Sequence, residues 1–384
     1  MSRIYLIAGE ESGDIHGAGL VAALRRLDPE VQCEGLGGLR MQAAGMTLHH
    51  DLAGEGIMGF TEVVKHFPRM RRLLLDTRDA LRRDPPDAVV LIDYPGFNIR
   101  LAQALHGSGI PVIYYISPQV WAWKKKRIHT IAKCCTKMMV IFPFEEPLYQ
   151  AIGMDAAYVG HPLLDHIQGF EPSRDFEGDP VIGILPGSRA QEIGRLLAPM
   201  LDVARRIQEH YPDARFVTPC ANEKRADQIR GIAKDFPLEV MPGTMYDVLH
   251  AARFCLVASG TATLETALFG VPMIIAYRVS PLSYALARAL VDIKHIGIVN
   301  ILAGKGIVPE YVQGAMKPKA IAADALELIG DTPRRAAMLE DLAAVRASLG
   351  GGGASENAAR EVLSMLHHGG TEGTELCRNL KNGL

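Results

Sequence analysis

Short runs of Val, Ile, Leu and Ala recur along the chain, each closed by Gly, Pro, Ser or Asp and followed by a longer stretch with apolar residues at helical spacing. A continuous apolar run reads as a strand buried on both faces, and its alternation with helical stretches predicts parallel sheets covered by helices. In the first half the runs are residues 4–8, 88–92, 112–116 and 138–142. A polar, turn-rich stretch, 169–175, separates them from a second series at 181–185, 215–218, 238–241, 254–258 and 273–277, followed by helical sequence from about 333 to 367. The pattern predicts two Rossmann-like α/β domains facing a cleft, 1–172 and 173–345. A C-terminal helix is expected over 346–367 and a disordered, Gly-rich tail over 368–384.

The length of 384 residues is more than one core of ordinary size accommodates, which agrees with two domains. A formal net charge of -2 removes any whole-protein attraction for nucleic acid or an anionic membrane, so charged partners must be met by local patches. Six cysteines, with Cys134 and Cys135 adjacent, form neither a small-domain disulfide framework nor a CxxC pair, as expected of a reducing compartment. The first residues already read as a strand rather than a secretion signal. The apolar stretch 256–277 is broken by Gly260, Glu265, Gly270 and Pro272 and fails as a membrane span.

Ligands of open α/β sheets bind beyond the carboxyl ends of the strands, so the loops there carry the candidate chemistry. Run 181–185 leads into Pro186-Gly187-Ser188-Arg189 and a helix. Glycine admits a phosphate close to the backbone and arginine clamps it, so this is either a pyrophosphate cradle or an ordinary βα turn. Run 254–258 leads into Ser259-Gly260-Thr261, with Glu265 about one turn further on. Small residues at a helix start offer amides to phosphate and the glutamate offers a carboxylate to ribose hydroxyls; the alternative is a capped core helix with a solvated acid. Neither GxGxxG after the first strand nor GxxxxGK[ST] occurs, which disfavours dinucleotide oxidoreductases and P-loop NTPases and leaves a sugar nucleotide.

In the first domain, run 88–92 ends at Asp93, a candidate general base or else a turn-forming aspartate. The first βα loop holds Glu10, Ser12, Gly13, Asp14 and His16, groups suited to acceptor hydroxyls or to capping. Met58, Phe60, Val63, Val64 and Phe67, with Lys65, Arg69, Arg71 and Arg72 among or just beyond them, suit an acyl chain or anionic interface, or form a buried helix edge. Trp121-Ala122-Trp123-Lys124-Lys125-Lys126-Arg127 fits a membrane- or phosphate-facing patch better than nucleic acid.

Taken together, GEESGD at 9–14, IDYPGFN at 92–98, SPQVWAW at 117–123, FPFE at 142–145, LPGSR at 185–189 and ASGTATLE at 258–265 resemble lipid-A-disaccharide synthases, in the same order and over about residues 3–365. The resemblance implies a GT-B type inverting glycosyltransferase. It would join UDP-2,3-diacylglucosamine to 2,3-diacylglucosamine 1-phosphate in a β-1,6 linkage and release UDP, without metal or cofactor. By the same resemblance Asp93 takes the proton of the acceptor 6-hydroxyl, while Gly187, Ser188, Arg189 and the 259–261 loop hold the diphosphate and Glu265 the ribose. Asn300, Glu310 and Gln313 fall in the segments closing on the donor. Glu10, Ser12, Gly13, Asp14, Met58, Phe60, Asn98, Gln119, Trp121 and Trp123 fall on the acceptor and lipid side. The last helix is expected to cross back to the first domain, dimers can form through that region, and the enzyme is expected at the cytoplasmic face of the inner membrane as a peripheral protein. Glu11 replaces a commoner alanine, and Val299-Asn300-Ile301 a commoner Pro-Asn-Leu. The rivals are another GT-B enzyme or 2-epimerase acting on UDP-N-acetylglucosamine, and a non-catalytic nucleotide-sugar sensor.

Overall fold

The computed structural model describes residues 2–54, 60–122, 126–176, 179–281, 284 and 294–368, with 60–67, 367 and 368 described as backbone only. Met58, Trp123, Lys124, Lys125 and the tail beyond 368 lie outside the described residues, as do the side chains of Phe60, Val63, Val64, Lys65 and Phe67. The chain divides into two compact units, residues 1–165 with 351–384, and residues 166–350.

In the first unit, strands β1 (Arg3–Ala8), β2 (Gln32–Gly37), β3 (Thr47–Asp51), β4 (Ala88–Ile92), β5 (Val112–Tyr115), β6 (Lys137–Val140) and β7 (Ala156–Tyr158) form one sheet in the order β3-β2-β1-β4-β5-β6-β7. All its pairings are parallel. Every residue of β4 is buried, as its unbroken apolar run requires. Helices α1 (Glu11–Leu27), α2 (Leu39–Ala43), α3 (Phe60–Arg83), α4 (Pro95–Leu105), α5 (Arg127–Cys134), α6 (Glu145–Gln150) and α7 (Pro162–Gln168) follow the strands. On α3, Met70, Leu73 and Leu74 pack on the core while Arg71 and Arg72 are exposed, the usual split of an amphipathic helix.

The second unit repeats the scheme with β8 (Val181–Leu185), β9 (Arg215–Cys220), β10 (Leu238–Pro242), β11 (Phe254–Ala258), β12 (Met273–Tyr277) and β13 (Glu310–Val312), in the order β10-β9-β8-β11-β12-β13. Its helices are α8 (Ala190–Gln208), α9 (Glu223–Ala233), α10 (Met245–Ala251), α11 (Thr261–Leu268), α12 (Ile298–Ala303), α13 (Pro318–Ile329) and α14 (Pro333–Ser348). No helix among the described residues is long and apolar enough to cross a membrane.

Helical sequence near the C-terminus is broken by four consecutive glycines, Gly350 to Gly353, beyond which α15 (Ala354–His368) belongs to the first unit. Three features hold it there. Arg26 of α1 pairs with Glu356 at 2.6 Å, and Lys137 of β6, only 8% exposed, lies 2.7 Å from Glu361. Asp165 accepts from the backbone N–H groups of Gly353, Ala354 and Ser355, capping α15 from elsewhere in the chain. We predict that Asp165→Ala lowers stability by about 1–2 kcal/mol, the cost of a lost cap. Hydrogen exchange should speed up first in residues 354–366; unchanged protection there would show that the cap does not hold the helix.

Candidate functional site

In both sheets the third strand in sequence lies outermost on one side, followed by the second and the first, and the fourth then pairs with the first. The loops leaving the first and fourth strands therefore run to opposite sides and open a crevice at the carboxyl edge. In the first unit those strands are β1 and β4, in the second β8 and β11.

At the first crevice β4 ends on Asp93, and the chain turns sharply into α4. Asp93 and Tyr94 have φ of 45° and 47°, a left-handed pair with no glycine. Such conformations cost about 1–3 kcal/mol each and persist only where surrounding bonds enforce them. Here the Asp93 N–H donates to the Tyr115 carbonyl at 2.9 Å. Its own carbonyl accepts from Asn98 Nδ2 at 2.8 Å and from the Tyr114 hydroxyl at 2.7 Å. Asn98, fully buried, also donates to the Ile92 carbonyl at 3.1 Å. The Tyr94 ring occupies the space where a side chain at position 9 would stand, 2.1 Å from an added Cβ, so Gly9 is required by close approach. Burial, and secondly the nearby Glu10 carboxylate, push the Asp93 carboxyl up to about 6.

Beside it, a cavity of about 360 Å³ is lined by Glu10, Asp14, Arg40 and Asp51 among others. Glu10, Glu11 and Ser12 are exposed, whereas Gly13 is buried against Ala8. Asp14 is buried and accepts from the Arg40 and Met41 amides at 3.1 and 3.0 Å, capping α2. Its carboxylate is thereby occupied, while those of Asp93 and Glu10 remain at the crevice. Further along the same edge Gln119 is exposed and Trp121 half-buried.

At the second crevice the two loops bound a cavity of about 480 Å³. Gly187 has φ of 102°, and a Cβ there would lie 2.5 Å from Glu192 Oε2; glycine is needed on both counts. Arg189 precedes α8 and pairs with Glu192 at 3.1 Å while its side chain stays 66% exposed, an ion pair weak enough to exchange for a better anion. Gly260 precedes α11, so two helix N-termini converge on one cavity and direct unpaired amides and positive dipole ends into it. Ser259 donates its hydroxyl to the Ile296 carbonyl at 3.3 Å and, with Ser188 and Thr261, lines the cavity. Glu265 also lines it; burial raises its carboxyl and a hydrogen bond from Tyr246 offsets part of that.

A family model described as lipid-A-disaccharide synthetase matches residues 4–360. The chain belongs to this family. It is 43% identical to a lipid-A-disaccharide synthase of Syntrophus aciditrophicus, covering 94% of this chain and 97% of the relative, and 41% identical to that of Geobacter sulfurreducens, covering 95% and 97%. Among solved structures it is similar to the UDP-N-acetylglucosamine 2-epimerase of Neisseria meningitidis bound to UDP-N-acetylglucosamine. That match has a TM-score of 0.64 at 13% identity and covers 95% of this chain and all of the epimerase. The calicheamicin glycosyltransferase CalG4 has a TM-score of 0.62 at 18% identity, covering 96% and 98%. These structural likenesses establish the two-domain fold that glycosyltransferases and epimerases share; the family separates the two activities.

The remaining residues expected at a family member's donor site are engaged within the protein. Asn300 is 1% exposed and uses its whole hydrogen-bonding capacity internally, donating to Val308 O and Glu310 Oε1 and accepting from the Ile307 and Val308 amides. Glu310 also accepts from the Ile296 and Gly297 amides, and Gln313 donates to the Val279 carbonyl. These three join α12 to the last strand and its flanking turns. Asn98 likewise acts on the Asp93 backbone. Tyr114 and Tyr246, absent from the motifs, support Asp93 and Glu265 respectively; a tyrosine inside an apolar strand was the one available sign of the first. We predict that Tyr114→Phe costs about 1 kcal/mol and that Asn98→Leu, which removes a donor from the Ile92 and Asp93 carbonyls, costs about 2–3 kcal/mol. Urea midpoints equal to wild type in both variants would mean that the turn holds without them.

Proposed function

We propose that the two crevices divide the family's reaction between them, the first unit holding the acceptor and its proton, the second the nucleotide and the charge that leaves with it. The protein is an inverting glycosyltransferase that condenses UDP-2,3-diacylglucosamine with 2,3-diacylglucosamine 1-phosphate into a β-1,6-linked disaccharide 1-phosphate and UDP. The observation carrying this division is the contrast between the crevices: a half-buried acid with a raised pKa at one, an arginine and two helix N-termini at the other.

Asp93 accepts the proton of the acceptor 6-hydroxyl as that oxygen attacks the anomeric carbon of the donor. The bond from that carbon to the UDP oxygen breaks as the new one forms, so the centre inverts. A base held near pH 6 is ionised at neutral pH yet basic enough to take the proton in the transition state. The charge on the departing diphosphate falls to Arg189, to the amides at the starts of α8 and α11 and to the dipoles behind them. Glu265 accepts from the ribose hydroxyls. Glu10 and Ser12 serve the acceptor sugar, with Asp14 shaping their loop. The apolar and basic stretch from Met58 to Arg72, with Trp121 and Trp123, meets the acyl chains at the cytoplasmic face of the inner membrane, where the enzyme associates peripherally.

Two predictions test this. Because the Asp93 carboxyl is raised, it is protonated below about pH 6, and kcat/KM should fall as pH drops through that value. Glu10→Gln removes the negative neighbour and should move this acid limb to lower pH; an unmoved limb in that variant, or a wild-type limb already near pH 4, rules out Asp93 as the titrating base. Arg189→Ala should weaken UDP binding about tenfold or more by calorimetry, the loss expected of a charge-assisted hydrogen bond. Wild-type affinity in that variant would remove the arginine from the diphosphate site.

A further inference from the structure

The carboxyl ends of β5 and β6 carry a buried polar cluster that the mechanism above does not use. Glu145, first residue of α6, is 1% exposed. Its Oε1 accepts from Trp121 Nε1 at 3.0 Å, and its Oε2 is buried without a hydrogen-bond partner. Beside it the hydroxyls of Ser117 and Tyr149 share a 2.8 Å hydrogen bond. The Trp121 ring meets Phe144 edge-on at 5.4 Å between centroids, and Phe144 stacks on Phe142 at 5.8 Å. The loop bearing Trp121 leaves β5 through Ile116, whose φ is 68°. A β-branched residue in the left-handed region is strained, and strain of this kind gathers where a site must present a group against local preference. The strained Asp93–Tyr94 turn ends the adjacent strand of the same sheet.

Burying a carboxyl beside an indole N–H is a poor use of a core position if stability alone is at stake, because an apolar residue would fill the space without desolvation. What an acid adds is a directional acceptor for one particular N–H. Burial pushes Glu145 up to about 8, with the Trp121 bond foremost among those opposing the shift, so at neutral pH it is chiefly the uncharged acid. Glutamine therefore copies both its shape and its charge.

We propose that Glu145 is a positioning residue for the acceptor: by accepting the indole N–H it fixes the orientation of Trp121 along the edge where β4 delivers Asp93, and so determines how the acylated sugar lies there. This rests on Trp121 being an acceptor contact, and the test separates the two claims. UDP release is measured against acceptor concentration for W121A, W121F, E145L and E145Q. W121A, W121F and E145L should each raise the acceptor KM, by about tenfold for the first and last, with kcat and donor KM near wild type. E145Q should restore the wild-type acceptor KM. A wild-type KM in W121A would overturn Trp121 as an acceptor contact. A raised KM in W121A with a normal one in E145L, or an E145Q as impaired as E145L, would overturn Glu145 as the group that positions it. Should E145L fail to fold, W121F and E145Q decide alone: W121F raising the acceptor KM while E145Q does not supports the hydrogen bond, and a normal KM in W121F overturns it.

Discussion

The left-handed turn at Asp93 and Tyr94 is the constraint on which the first unit depends. A strand that ended in an ordinary turn would leave its last carboxylate free to swing into solvent. Here the backbone carbonyl of Asp93 is held by Asn98 from α4 and by Tyr114 from the neighbouring strand, and Gly9 gives way to the Tyr94 ring. The carboxyl is consequently fixed at the switch point, partly dehydrated, and close enough to Glu10 to feel its charge. Position and basicity share one cause, the packing that enforces the turn.

The two units share a strand order and use it for opposite electrostatic ends. Both place their loops at the crevice between the first and fourth strands. In the first the helix entered there starts among carboxylates, and its Asp14 is spent on capping the next helix rather than on a ligand. In the second, glycines admit close approach and the helix starts point their amides into one cavity. A fold with no intrinsic preference for either charge thus presents carboxylates at one crevice and an arginine with two helix N-termini at the other, through a few residues per loop.

Much of this was legible in the sequence because strands buried on both faces advertise themselves as unbroken apolar runs. The central strands of both sheets were readable for that reason, as were the loops they feed. β2, β3, β7 and β13 were not. β2 contains two glycines and a glutamate, β3 is largely polar with two histidines, and β7 and β13 have three residues each. Their pairing is imposed by neighbours rather than by pattern. At the sites, motifs singled out Asp93, Arg189 and Glu265 as candidates but not the groups that hold them. Asn98 and Asn300 fall within recognisable motifs, yet only coordinates reveal that each spends its amide on backbone and neighbouring groups. Tyr114 and Glu145 act through contacts distant in sequence, which no local spacing encodes.

The most direct test of the central claim is UDP release from UDP-2,3-diacylglucosamine, with and without 2,3-diacylglucosamine 1-phosphate, by the wild type and by Asp93→Asn, alongside UDP affinity. The account predicts release that requires the acceptor, is abolished in Asp93→Asn and leaves UDP affinity near wild type, because the base belongs to the acceptor's unit. Release without acceptor, or acceptor-dependent release that survives in Asp93→Asn, would contradict it.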